Sequence, residues 1–433
     1  MSRSILRRPL AALLVGLLVA GCGSTAPTPV PNTPSPSPTG SPDRTAAPSG
    51  SPSPTASAGS GVEGYAAIAE VVREIRGLDE EKPVEPEVLD EAALSEFVRA
   101  EYVQDNPPEY VAAYNRLLKH LGLGPQDADV QELYFELLES QVVGLYDPQS
   151  DRMFVVSRPG DPGVLDRATY AHEYGHALQD QAFDLEAVQA WEVDEGDRAL
   201  ARLALIEGDA LLVMTLWAQR ALTPEQFLEL ASSSSDEQNA VLERMPAILR
   251  EQLLFPYTAG LNYVIGLQTS GGWPAVDAAL ADPPDTTEQI LHPDRADEPA
   301  VDVSFPGDLA AGMGQGWSEA LQDTLGEFQV GVWLREAGVE TVVADGAADG
   351  WGGDRLVLLD GPGGAWATVV EIAWDTPLDA QEFRDTAGEL VALLENAGGH
   401  ADLLSRDRTS TTVVIGSDVD VMARVTERLG LAG

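Results

Sequence analysis

Two histidines and a glutamate in the segment 170–181 are the residues of this chain best suited to chemistry. The segment reads Tyr-Ala-His-Glu-Tyr-Gly-His-Ala-Leu-Gln-Asp-Gln and contains His172, Glu173 and His176. In a helix, residues four apart lie on one face, so both imidazoles can reach one metal ion at about 2.0 to 2.1 Å. Glu173 lies about 100° round the helix from His172 and can hold a water molecule without being a ligand. The pattern indicates metal-assisted hydrolysis, which requires a third ligand.

The third ligand is expected on a second helix, predicted over residues 197–220. Its apolar residues recur at helical spacing along one side, and Glu207 falls in the middle of that side. A buried carboxylate without a partner is costly, so a metal ion is its natural counterpart. Asp209 falls on the opposite side among arginines, where an ion pair on the surface or between helices is the simpler account. Glu207 is therefore preferred, and the weaker rivals are Asp209, Glu192, Asp194 and Glu195.

The first 22 residues predict an exported, lipid-anchored protein. Basic residues precede an apolar run over residues 10–20 that is too short to span a bilayer as a stable helix. The run ends in Val-Ala-Gly-Cys, which resembles a bacterial lipobox with Cys22 as the lipidated residue. Cys22 is the only cysteine of the chain, so no internal disulfide can form. The alternative is an ordinary signal peptide with an incidental thiol.

Residues 23–61 predict a disordered tether, because they are rich in Pro, Ser and Thr and nearly free of large apolar side chains. The rest of the chain is long enough for two domains. With 70 acidic against 26 basic residues, the net charge of −44 excludes a surface that attracts nucleic acid or anionic lipid headgroups. Proteins or cations are the expected partners.

Periodicity predicts a mainly helical domain over residues 62–295, with a small β-hairpin ahead of the histidine-bearing helix, and an α+β domain over residues 296–433. A hairpin strand there could accept an extended peptide at its edge, or it could merely cap the core. In the second domain a helix is predicted over residues 317–336. The glycine-rich run 347–354 is interpreted as tight turns, with Trp351 exposed for substrate contact.

The motif His172-Glu173-x-x-His176, followed by a downstream helix that carries Glu207, resembles the gluzincin, or thermolysin-like, zinc metallopeptidases. Four motifs together are similar, more closely, to a little-characterised group of bacterial lipoprotein-like metallopeptidases. These motifs lie at residues 144–148, 172–181, 206–210 and 286–293. The resemblance implies a zincin-like fold with His172, His176 and Glu207 as zinc ligands and Glu173 as general base. Many gluzincins place an aspartate four residues after the ligand glutamate, and Leu211 occupies that position here. Asp209 or Asp180 is expected to take the role of that aspartate, which is to hold a histidine.

A donor for the developing oxyanion is also needed. His292 is the first candidate, with Tyr263 and Tyr257 next, because each lies downstream in a segment that could fold back over the cleft. His292 precedes a proline, so a loop residue that satisfies backbone groups is an equal alternative.

These features predict a membrane-tethered, extracytoplasmic zinc peptidase that acts on peptides or proteins. One alternative keeps the zinc as a structural ion in a non-catalytic lipoprotein that binds proteins or ligands of the cell envelope. The other is a metal-free envelope lipoprotein. Glu173 argues against the structural-ion alternative, because a structural zinc site needs no general base and normally has four protein ligands.

Overall fold

The computed structural model describes residues 61–124, 129–141, 143–156, 162–190, 194–232, 236–295 and 298–431. The predicted signal segment, the lipidation site at Cys22 and the linker to residue 60 lie outside the described residues. Within the described part of the chain, every helix is either too short or too polar to cross a membrane.

The first half of the described chain is mainly helical, as the periodicity predicts. Its elements are α1 Gly61–Arg76, β1 Pro86–Leu89, α2 Glu91–Asp105, α3 Pro108–His120, α4 Val130–Gln141, β2 Gly144–Asp147, β3 Arg152–Val156, α5 Val164–Phe183, α6 Leu185–Val188 and α7 Gly196–Ala221. The chain continues through α8 Pro224–Ala231, α9 Asp236–Arg244, α10 Ala247–Phe255, a π-helix Pro256–Gly260, α11 Leu261–Gly271, α12 Trp273–Ala281 and α13 Thr287–Leu291.

The second half combines helices with a sheet. Its elements are α14 Leu309–Met313, β4 Ser318–Asp323, α15 Gly326–Glu336, α16 Thr341–Ala348, β5 Trp351–Asp360, β6 Trp366–Trp374, α17 Pro377–Asn396, β7 His400–Leu404, β8 Ser410–Gly416 and α18 Val419–Arg428. Neighbouring strands are antiparallel in the order β4-β5-β6-β8-β7. The predicted α+β class is therefore confirmed.

The predicted hairpin is present and belongs to a small sheet of order β1-β3-β2. β2 pairs with β3 in antiparallel register, Tyr146 opposite Met153, and β1 adds in parallel on the other side of β3. All residues of β2 are buried. β2 is thus an edge strand of the sheet, and it packs against α5, the helix that carries both histidines.

The largest hydrophobic cluster runs across the domain boundary predicted at residues 295 and 296. It joins buried side chains of α2 and α3, such as Leu94 and Leu118, to Trp333 of α15 and Ile415 of β8. The indole Nε1 of Trp333 also donates to the carbonyl oxygen of Leu121 at 2.8 Å. Apolar side chains on the two sides of this boundary thus belong to one hydrophobic cluster. The division into two domains at residues 295 and 296 stays a prediction.

Two predictions for the second half are wrong. The helix predicted over residues 317–336 is a strand followed by a helix. Gly326 has a φ of 73°, in the left-handed region, so α15 cannot extend back through it, and the segment upstream pairs with β5 instead. Trp351 is buried with 2% exposure, and its indole Nε1 donates to Asp354 at 3.0 Å, so it is not free for substrate.

Candidate metal centre

The side chains of His172, His176 and Glu207 converge, as the sequence predicts. The Nε2 atoms of the two histidines lie 3.0 Å apart. Oε2 of Glu207 lies 3.2 Å from Nε2 of His172 and 3.5 Å from Nε2 of His176. All three side chains are at least nine-tenths buried. Three possible ligand atoms therefore face one point in the interior.

Close packing of α5 against α7 brings these side chains together. Gly175 lies between the two histidines in sequence, and a Cβ built on it would be 3.6 Å from Cα of Ala210. Two helices can approach each other this closely only where the side chains between them are small, as glycine and alanine are here. The two histidines on α5 thus face the buried side of α7 on which Glu207 lies.

The ionisation of this group suits a cation. Burial lowers the pKa of His172. Burial has the same effect on His176, but the charge of Glu207 outweighs it and raises the pKa of His176. Burial acts to raise the pKa of Glu207, yet the charge of His176 holds that pKa below its usual range. An ionised carboxylate thus sits between two imidazoles, and two nitrogens with one carboxylate oxygen are a donor set of catalytic zinc sites.

Glu173 is adjacent to this group without belonging to it. Its Oε2 accepts a hydrogen bond from the backbone nitrogen of Tyr146 at 2.8 Å, while its buried Oε1 has no hydrogen-bond partner among the residues that the structure describes. Burial raises the pKa of Glu173 to about 7. An unpartnered buried carboxylate oxygen is costly. Oε1 therefore fits a site that receives a further polar group, such as a water molecule held at a metal ion.

The edge of β2 that lies away from β3 faces the site. The backbone nitrogen of Val156 donates to the carbonyl oxygen of Val143, and bonded pairs alternate along an antiparallel ladder. Gly144 and Tyr146 therefore direct their backbone groups away from β3, and the Tyr146 amide reaches Glu173 on α5. The edge strand that the sequence predicts here runs beside the candidate metal group.

Gln179 is the residue that orients the imidazole of His176. The sequence predicts Asp180 or Asp209 for this role. Oε1 of Gln179 lies 2.8 Å from Nδ1 of His176, and its amide nitrogen donates to Asp209 and to the carbonyl oxygen of Ile206. Asp180 instead accepts from the hydroxyl of Tyr146 and the backbone nitrogen of Leu185. The sequence signal for this contact is spacing, because Gln179 follows His176 by three residues and so lies on the same helix face.

Asp209 is not one of the three converging side chains. It belongs to an ion pair between helices, which is one of the two accounts that the sequence favours. It is fully buried rather than at the surface, and both its oxygens lie 3.0 Å from Nε of Arg76 on α1. Arg76 is itself 1% exposed and also pairs with Asp277. A chain of polar contacts thus leads from His176 through Gln179 and Asp209 to Arg76.

Among the candidate oxyanion donors, Tyr257 is the one that lies near the candidate metal group, His172, His176 and Glu207. Burial, followed by the charges of Glu207 and Glu173, raises the pKa of its hydroxyl far above the usual range, so the phenol lies within electrostatic reach of both carboxylates. It belongs to the π-helix Pro256–Gly260, a type of irregularity frequent at functional sites. A Cβ on Gly208 would lie 2.4 Å from the carbonyl oxygen of Gly260, so the contact between α7 and the π-helix requires glycine.

The other two candidate donors lie elsewhere. Tyr263 on α11 is buried in an apolar cluster that includes Val264 and Leu280. Nε2 of His292 lies 2.8 Å from Oε1 of Glu327 on α15. His292 also lines a separate cavity with Thr258 of the π-helix and other residues. The donor role of His292 stays a prediction, and Tyr257 has the better placement.

One family model matches the chain, a domain of unknown function (DUF8575), over residues 317–426. The matched region lies within the second half and contains the five strands of the antiparallel sheet. No curated protein and no solved structure matches the chain. The metal group on α5 and α7 lies outside the matched region.

Proposed function

We propose that this protein is a zinc-dependent peptidase with a zincin-like catalytic region. The observation that carries the proposal is the convergence of His172, His176 and Glu207 beside the unpartnered Oε1 of Glu173. A zinc ion bound by these three side chains would act as the Lewis acid that polarises a water molecule and the substrate carbonyl group. A structural zinc site would not need Glu173, so this arrangement favours catalysis over the non-catalytic alternative.

Glu173 acts as the general base. The amide of Tyr146 fixes the carboxylate through Oε2, which leaves Oε1 to accept a proton from water and then to deliver it to the leaving amine. A pKa of about 7 suits both transfers, because a group that titrates near neutral pH can take and return a proton.

Tyr257 donates to the oxyanion. Its phenol is buried close enough to Glu207 and Glu173 for their charges to act on it, and its strongly raised pKa keeps the hydroxyl protonated. A donor in a dry, buried position stabilises developing negative charge without reorganising. Gln179 acts indirectly, since it fixes the ring orientation and tautomer of His176.

A peptide substrate fits the strand beside the site. β2 is an edge strand, and its Gly144 and Tyr146 turn backbone groups away from β3. An extended peptide would add along such an edge through main-chain hydrogen bonds, with its scissile bond near Glu173. The membrane tether and the extracytoplasmic location rest on the lipobox-like segment ending at Cys22.

The test is cleavage of a peptide library, read by mass spectrometry, with and without zinc. We expect zinc-dependent cleavage that falls at least about a hundredfold in Glu173→Gln, a change that keeps an acceptor for the Tyr146 amide but removes the base. Glu186→Gln, at an exposed position beyond α5, is the matched control and retains full activity. A folded, zinc-loaded protein that cleaves no library member would favour a non-catalytic lipoprotein.

A further inference from the structure

A second group of possible metal ligands lies away from the metal group on α5 and α7. His292 follows α13, Glu327 is on the first turn of α15 and Asp349 follows α16. One ligand atom from each lies within 4.8 Å of the other two. Nε2 of His292 is 2.8 Å from Oε1 of Glu327 and 3.9 Å from Oδ1 of Asp349. All three residues line one cavity of about 460 Å³.

Glu327 is the member that indicates a missing partner. It is 5% exposed, and its Oε2 has no hydrogen-bond partner within the described residues. Among those residues its ion pair is with His292, while Arg295, whose charge also acts on Glu327, is already paired with Asp349 and Glu288. A buried carboxylate oxygen with neither a donor nor a cation carries a substantial desolvation cost. Burial raises the pKa of Glu327 to about 8, so Oε2 can be satisfied either by a proton or by a cation that displaces that proton.

Arg335, which lines this cavity, and Arg295, which pairs with a residue of its lining, are both already engaged. Arg295 contacts Asp349 at 2.5 Å and Glu288 at 3.1 Å, so two carboxylates share one guanidinium. Arg335 pairs with Asp345 and Glu251. The cavity lining thus contains three carboxyl groups, Glu327, Asp345 and Asp349, and one guanidinium group, Arg335.

We propose that His292, Glu327 and Asp349 form a second binding site for a divalent transition-metal ion. One imidazole nitrogen with two carboxylate oxygens suits zinc or manganese, whereas calcium and magnesium prefer oxygen ligands alone. The ion would connect the end of α13, the start of α15 and the end of α16. The cavity also includes Thr258 and Ala259 of the π-helix that carries Tyr257, so the ion would brace the helices around that segment.

This site is tested independently of the proposed peptidase activity. The full chain carrying His172→Ala and His176→Ala removes the first group, and bound zinc is then counted by equilibrium dialysis with elemental mass spectrometry. We expect about one zinc ion per chain and a rise of the unfolding temperature on zinc addition, because a ligand that binds only the folded state stabilises it. Addition of Glu327→Gln should weaken binding at least about tenfold, since it removes a ligand charge while keeping the shape.

Asp345→Asn in the same background is the matched control. Asp345 lines the same cavity but pairs with Arg335, so zinc binding should be unchanged. Manganese binding, followed by electron paramagnetic resonance, should respond to Glu327→Gln in the same way. Circular dichroism identifies variants that remain folded. A folded double-histidine variant that binds neither metal would overturn the proposal and leave a simple pair of His292 and Glu327; so would binding that survives both Glu327→Gln and His292→Ala.

Discussion

The side-chain oxygen of Gln179 lies 2.8 Å from Nδ1 of His176, and its amide nitrogen reaches Asp209 at 2.9 Å. An amide that donates to Asp209 and Ile206 presents its oxygen to the imidazole, so Nδ1 of His176 carries the proton. Nε2 is then the nitrogen that a metal ion would bind, and it lies 3.0 Å from Nε2 of His172 and 3.5 Å from Oε2 of Glu207. One glutamine thus sets which nitrogen of His176 can bind a metal ion.

Replacement of Gln179 should therefore weaken metal binding without abolishing it. For Gln179→Ala we expect a loss of zinc affinity of about 10- to 100-fold, the usual effect of removing a group that orients a ligand histidine. Competition with a chromophoric chelator measures the affinity. Gln189→Ala, at a partly exposed position after α6, is the control and should bind zinc as wild type does. Equal affinities in the two variants would contradict the role given to Gln179.

The buried ion pair of Arg76 and Asp209 should contribute to stability because each charge compensates the other. Asp209→Ala is expected to reduce the free energy of unfolding by about 3–5 kcal/mol, because Arg76 is then a buried charge with only Asp277 left. The double variant Arg76→Met with Asp209→Leu should lose less than the sum of the single changes. Denaturant unfolding of all three proteins provides the measurement, and simple additivity would argue against the coupling.

Tyr257→Phe should lower kcat while leaving zinc bound. The change removes a single buried hydroxyl on which the charge of Glu207 acts, and the loss of one oxyanion donor usually costs about 100- to 1,000-fold. Tyr263→Phe is the matched control, because that tyrosine lies in an apolar cluster. Steady-state kinetics on a peptide identified from the library separate kcat from KM. Full activity in Tyr257→Phe with loss in His292→Ala would instead support the donor predicted from the sequence.

Stability should also depend on pH through Asp323, at the end of β4. Burial raises its pKa to about 7, although backbone donors from Gly196 and Thr324 oppose the rise. The native state then binds more protons than the unfolded state between an unfolded pKa of about 4 and pH 7. The contribution of Asp323 is thus complete below about pH 4 and is lost as the pH rises through about 7.

Asp323→Asn preserves the acceptor oxygen and removes the titration. The unfolding temperature of wild type should therefore fall relative to that of Asp323→Asn as the pH rises from about 4 to 7. Parallel pH profiles for the two proteins, recorded by calorimetry, would show that Asp323 has an ordinary pKa in the folded state.

The sequence predicts the metal group because each of its signals is local. The spacing of His172 and His176 and the position of Glu207 on an apolar helix face are both readable from helical periodicity. That periodicity also predicts α7, which is expected over residues 197–220 and found at Gly196–Ala221. The partners around the group are not local: Arg76 is 133 residues from Asp209, and nothing in either segment indicates the pairing.

Tyr257 and β4 were harder to predict for different reasons. The position of Tyr257 depends on the contact of Gly208 on α7 with Gly260 of the π-helix, and local sequence does not indicate that contact. β4 is an edge strand with Leu321 as its one fully buried residue, so its two-residue period is faint beside the helical pattern that follows. Trp351 shows that a tryptophan among glycines need not be exposed, since a strand with glycines can lie in the core.

Zinc content tests the central claim most directly. Elemental mass spectrometry on the purified full chain should find one zinc ion fewer per chain in Glu207→Gln and in His176→Ala than in wild type. Glu186→Gln should match wild type, and the comparison by difference holds whether or not the second site is filled. Equal zinc in wild type and in folded Glu207→Gln and His176→Ala would contradict the assignment of the metal centre, and with it the proposed peptidase.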